Sequence, residues 1–94
     1  MLLLPAALTE REARDTLRML KAALQQEAAG PAELLSVDGS QLQRFDSSAL
    51  AVLLECERMA QAWGKRFEVK HLPAKLVELA KVYGVDGALP IGQA

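Results

Sequence analysis

Short strand-like segments at residues 2–4, 34–37 and 67–72 alternate along this chain with longer stretches in which apolar residues return every three or four positions. Such alternation predicts strands separated by helices, joined by right-handed crossovers into a mostly parallel sheet. The punctuation agrees. Thr9 opens a capping box with Glu12, after which Ala13, Leu17, Leu20 and Leu24 recur at helical spacing until Gly30-Pro31. Arg11, Arg14, Arg18 and Lys21 fall elsewhere on that helical wheel. Asp38-Gly39-Ser40 marks a turn after the second run, and a second helix is expected from Asp46 to Gly64. Pro73 suits the first position of a third helix that ends at Gly84, and Ala88-Leu89 reads as a further short strand. The expected fold is a small α/β layer structure with three helices and a three- or four-stranded, mostly parallel or mixed sheet. At 94 residues there is room for one core, so a single domain over residues 1–94 is expected.

Composition removes several function classes. The formal net charge is −1 and aromatic residues make up 4% of the chain, so neither an electrostatic footprint nor stacking platforms for nucleic acid are present. No glycine-rich phosphate loop follows any of the strand-like segments. Cys56 is the one cysteine and sits within an apolar helical pattern, which suits a reducing compartment. The opening Met1-Leu2-Leu3-Leu4 is broken by Pro5 and lacks a basic flank, so neither a signal peptide nor direct membrane insertion is expected. A cytoplasmic protein is expected, held at the membrane only through a partner.

The informative segment lies around the start of the second helix. Asp46 is a natural N-cap, which places Ser47 and Ser48 in the first helical turn. Free N–H groups and the helix dipole favour negative charge there, by about 0.3–1 kcal/mol for an exposed group. The serines therefore either serve the helix end alone or act as a regulatory hydroxyl and phosphoacceptor. At 100° per residue, Ala49, Val52, Leu53, Cys56, Met59, Ala60 and Trp63 gather on one arc, the expected core face. Leu50, Ala51 and Leu54 fall among polar residues on the side of Ser47, while Ser48 points elsewhere. Those leucines either meet a neighbouring helix or form an apolar docking stripe beside the serine.

The run Asp46-Ser47-Ser48-Ala49-Leu50, preceded by an apolar strand and an Asp-containing turn, resembles the signature of STAS domains, the fold of anti-sigma-factor antagonists. The order of elements follows the family throughout. Gly64-Lys65 precedes a strand, Leu72-Pro73 opens a helix, and that helix closes with Leu79-Ala80-Lys81-Val82-Tyr83-Gly84. This ending is similar to that of the MlaB-type STAS subunit of the Mla phospholipid-transport ABC complex. In antagonists the phosphorylated hydroxyl corresponds to Ser48; in the Mla-type subunit a threonine corresponds to Ser47 and lies at the contact with the ATPase. Ala49 departs from the family's usual glycine, which favours the helix and narrows the approach of a partner backbone. The single short strand at the start, where antagonists usually carry two, leans toward the transporter-subunit branch.

The resemblance implies a non-catalytic regulatory or stabilising subunit bound to the cytoplasmic ATPase of an ABC phospholipid transporter, acting in outer-membrane lipid asymmetry. The alternative it implies is a phosphorylation-switched antagonist that binds an anti-sigma serine kinase. The expected docking surface comprises Ser47, Ser48, Leu50 and Leu54, with Asp46 as the cap. No cofactor, metal or catalytic residue is expected. His71 is the sole histidine, Cys56 reads as a buried structural thiol, and Asp38 and Asp46 each have an ordinary turn or cap role. Trp63 and Tyr83 read as core or rim packing near helix ends.

Overall fold

The computed structural model of the chain describes residues 2–89. Its elements run β1 (Leu2–Leu3), β2 (Ala7–Leu8), α1 (Glu10–Ala28), β3 (Leu34–Asp38), β4 (Arg44–Phe45), α2 (Ser47–Ala62), β5 (Arg66–Lys70) and α3 (Ala74–Val82). The α/β class and the three helices are as the sequence predicts, and every strand pairing is parallel. The strands divide differently from expectation. β1, β3 and β5 form one sheet in that order, with Val37 paired to both Leu2 and Val69, while β2 and β4 form a separate two-stranded ladder.

Each crossover in the larger sheet steps one strand further in the same direction, so right-handed connections place α1 and α2 in one layer on the same face. The strand parities agree. Leu35, Val37, Phe67 and Val69 are buried beneath the helices, whereas Leu34, Ser36, Arg66, Glu68 and Lys70 alternate onto the other face. α1 and α2 pack side by side and contribute Leu20, Leu24, Leu53 and Cys56, all fully buried, to the core; α3 joins from beside α2 with Leu76 and Ala80. Seven inward residues of α2 were expected, and six are buried, with Trp63 half-buried at the helix end.

Local chemistry sets the ends of the helices. Thr9 and Glu12 complete the capping box of α1: the Glu12 carboxylate accepts from the Thr9 N–H at 2.8 Å and from the Thr9 hydroxyl at 2.7 Å. Gly64 and Gly84 adopt φ +73° and +71° immediately after α2 and α3, a left-handed conformation that glycine takes without a Cβ clash. The next N–H groups, Lys65 and Val85, then bond back to Ala60 and Ala80 and close both helices. Pro73 serves as the N-cap of α3 rather than its first helical residue, with ψ 141°. β5 stops at Lys70, short of the expected residue 72, because His71 turns into the left-handed region at φ 58°. Ala88 lies in a turn and Leu89 is buried against the core, so no strand forms there.

Candidate functional site at the start of α2

Asp46 carries the local architecture. Its backbone is extended, at φ −136° and ψ −165°, and its carboxylate accepts from the Ser48 N–H at 2.8 Å. The second carboxylate oxygen accepts from the Glu10 N–H, the first residue of α1, at 3.1 Å. The β2–β4 ladder brings these two helix starts together, pairing Ala7 with Arg44 and Leu8 with Phe45. One carboxylate therefore ties the N-termini of both helices. The Ser48 N–H and then the Glu10 N–H hold its carboxyl below the ordinary aspartate range.

The two serines beyond this cap open onto different sides of the helix. Ser47 is exposed and lies at the rim of a shallow depression of about 170 Å³, whose other lining residues are Leu50, Ala51, Leu54, Tyr83 and Val85. Ser48 is half-buried and lines a larger trough between α1 and α2. The four residues expected to make one docking stripe do not present themselves alike. Leu50 is only 3% exposed and belongs to the core, and it shares the depression with Tyr83 and Val85, just after α3. Of the two readings open for Leu50, inward packing is the one its burial fits, and it is not part of an exposed stripe. Leu54 is half-buried and keeps an accessible edge.

Tyr83 was not expected at this surface, yet it is 58% exposed and shares the depression with Ser47. The helical wheel misleads here. Tyr83 follows Leu76 by seven residues and so continues the buried stripe of α3, but it is the C-cap and projects past the edge of the core. An exposed aromatic beside the half-buried Leu54, with a polar hydroxyl at the rim, is a composition common at protein-docking patches.

A second polar cluster closes β3 and β5. The Asp38 carboxylate accepts from the Ser40 N–H at 2.7 Å and faces His71 Nδ1 at 3.0 Å; a carboxylate only accepts, so that ring nitrogen donates. The Ser40 hydroxyl and N–H, followed by the His71 ring, hold the Asp38 carboxyl down to about 2. Gly39 between them sits close to the next segment: a Cβ there would stand 3.0 Å from Leu72 Cδ2, so the leucine would have to shift by a few tenths of an ångström. The cluster accounts for the Asp-Gly-Ser turn as architecture: it fixes the left-handed His71 that ends β5. Cys56 is fully buried, and burial pushes its thiol up to about 12, well away from a nucleophile's range.

The fold is a single layer of helices on a small parallel sheet, with an apolar patch around the start of the second helix. The chain belongs to the STAS domain family: the family model described as "Mlab, STAS domain" matches residues 7–91. A search of the curated proteins found no match. STAS domains are in general non-catalytic modules that mediate protein–protein interactions. Among the described residues no helix is long and apolar enough to cross a membrane.

Proposed function

We propose that this chain is the non-catalytic STAS subunit of an ABC phospholipid transporter, docked on the transporter's ATPase at the cytoplasmic face of the inner membrane. In that place it stabilises the ATPase or regulates its ATP hydrolysis, and so acts on phospholipid traffic and outer-membrane lipid asymmetry. One observation carries the proposal. Ser47, the position that corresponds to the ATPase contact in MlaB-type subunits, is exposed at the rim of a depression flanked by Leu54 and the exposed Tyr83. The MlaB description of the matching family model supports the same branch.

A phosphorylation-switched antagonist would instead use Ser48 as its phosphoacceptor. That hydroxyl is half-buried beside the α1–α2 trough, which favours the first reading over the second.

Co-expression with the ATPase and permease of such a transporter from the same organism tests the proposal. The chain is expected to co-purify with the ATPase, to change its rate of ATP turnover, and to hydrolyse no ATP alone. An ATPase that neither retains the chain nor responds to it, while a serine kinase does retain it, would overturn the proposal.

A further inference from the structure

We propose that the trough between α1 and α2 is a second docking site and takes an acidic amphipathic helix from a partner protein. It adjoins the Ser47 depression, with Ala51 on the ridge between them lining both, and encloses about 620 Å³. Its length follows from the helix beneath it. Ser48 and Trp63, near the two ends of α2, both line it, and fifteen residues at 1.5 Å each span about 22 Å.

The walls state the sign of the charge they seek. Arg14 and Lys21 line the trough from α1, and they belong to a stripe with Arg11 and Arg18 at successive spacings of three, four and three residues. All four side chains are exposed, and among the described residues none of them forms an ion pair. Arg58 faces them from α2 and is paired with Glu55, which Lys21 also attracts. Three cations against one carboxylate leave the trough positive, in a chain whose net charge is −1. The floor between these walls is apolar, with Leu17, Val52 and Met59 beside the exposed Ala51 and Ala62.

An apolar floor under basic walls complements a helix with leucines on one face and carboxylates along its flanks. Shape favours a helix over a bilayer. A flat anionic membrane would touch the arginines and lysine at the rim and leave the floor in water, whereas a helix about 10 Å across reaches both.

Trp63 is the only tryptophan of the chain and lines the trough, so its emission reports occupancy directly. The probe is a capped, tryptophan-free peptide of about 16 residues, with leucines on one helical face and glutamates on both flanks. Its control keeps the leucines and replaces each glutamate with lysine. The glutamate peptide is expected to shift Trp63 emission to shorter wavelength saturably, and the lysine peptide to leave it unchanged. Arg14→Glu with Lys21→Glu should weaken binding by about tenfold or more. Should circular dichroism show that pair unfolded, Arg14→Gln with Lys21→Gln serves in its place and should weaken binding in the same direction. Four results would each overturn the proposal: no emission shift with the glutamate peptide, equal binding of the lysine control, indifference to the charge changes, or a shift produced by phosphatidylglycerol vesicles and not by the peptide. A dimer that dissociates on charge reversal would assign the trough to a second copy of the chain and would also overturn it. The measurement needs no ATPase, so it succeeds or fails independently of the Ser47 surface.

Discussion

Cys56 offers a quantitative test of which face of α2 points inward. The thiol is fully buried between Val52, Met59 and Ala60, and burial, with a further push from the Glu55 carboxylate, raises it from its ordinary 9.0 to about 12. Between those two values the unfolded chain has released the thiol proton and the folded chain has kept it. The unfolded state then binds fewer protons, so stability falls as pH rises. This contribution is complete below pH 9.0 and is lost as pH climbs through the folded value of about 12. One proton sets a limiting slope of about 1.4 kcal/mol per pH unit. Between about pH 9.5 and about pH 10.5 the wild type should therefore lose about 1 kcal/mol more than Cys56→Val, which differs from it in this one group. Urea unfolding of both proteins across that range reads the difference through the shift in midpoint. The same burial lowers the native thiolate population at about pH 8 roughly a thousandfold, so a thiol reagent should react far more slowly with native than with denatured protein. Parallel pH profiles for the two proteins, or native labelling at the denatured rate, would refute the assignment of this face to the core.

Two further perturbations follow from the site. Leu50→Ala should cost about 2–5 kcal/mol in urea unfolding, as deletion from a closed core does, while Leu54→Ala at its half-buried position should cost about 1 kcal/mol; equal losses would put Leu50 back on the surface. Asp38 has its carboxyl depressed from 3.8 to about 2, so it stabilises the fold above pH 3.8, and that contribution disappears as pH falls through about 2. An acid titration should show the wild type losing stability more steeply than Asp38→Asn over that interval, and identical curves would show that the Ser40 and His71 contacts do not form.

The elements whose periodicity spans several turns or a whole apolar run were legible in the sequence. The Thr9–Glu12 capping box, the Asp46 cap and the core arc through Val52, Leu53, Cys56, Met59 and Ala60 all stand where residue type and spacing put them. What escaped is what two residues or a distant contact decide. β2 and β4 are two residues each, too short for any period to register, yet their pairing is what delivers the Glu10 N–H to Asp46. Leu50 stays open between core and docking stripe because its wheel neighbours are polar, and only its tertiary surroundings, where it is 3% exposed, decide for the core. Tyr83 fails in the opposite sense. It keeps the helical phase of Leu76 and Ala80 but, as the C-cap of α3, is 58% exposed, so the periodicity continues after burial has ended.

The affinity of the purified ATPase for this chain, compared between wild type and Ser47→Glu, bears most directly on the proposed docking surface. A carboxylate placed among Leu54, Ala51 and Tyr83 would be desolvated on docking, which corresponds to a loss of about 2 kcal/mol or more, or roughly thirtyfold in Kd. Because Ser47 is exposed, circular dichroism should show the variant as folded as the wild type, and Tyr83→Ala should weaken binding in the same direction without unfolding. A Ser47→Glu protein that folds normally and binds the ATPase with unchanged affinity would mean that the serine only occupies the first turn of α2 and that the partner docks elsewhere.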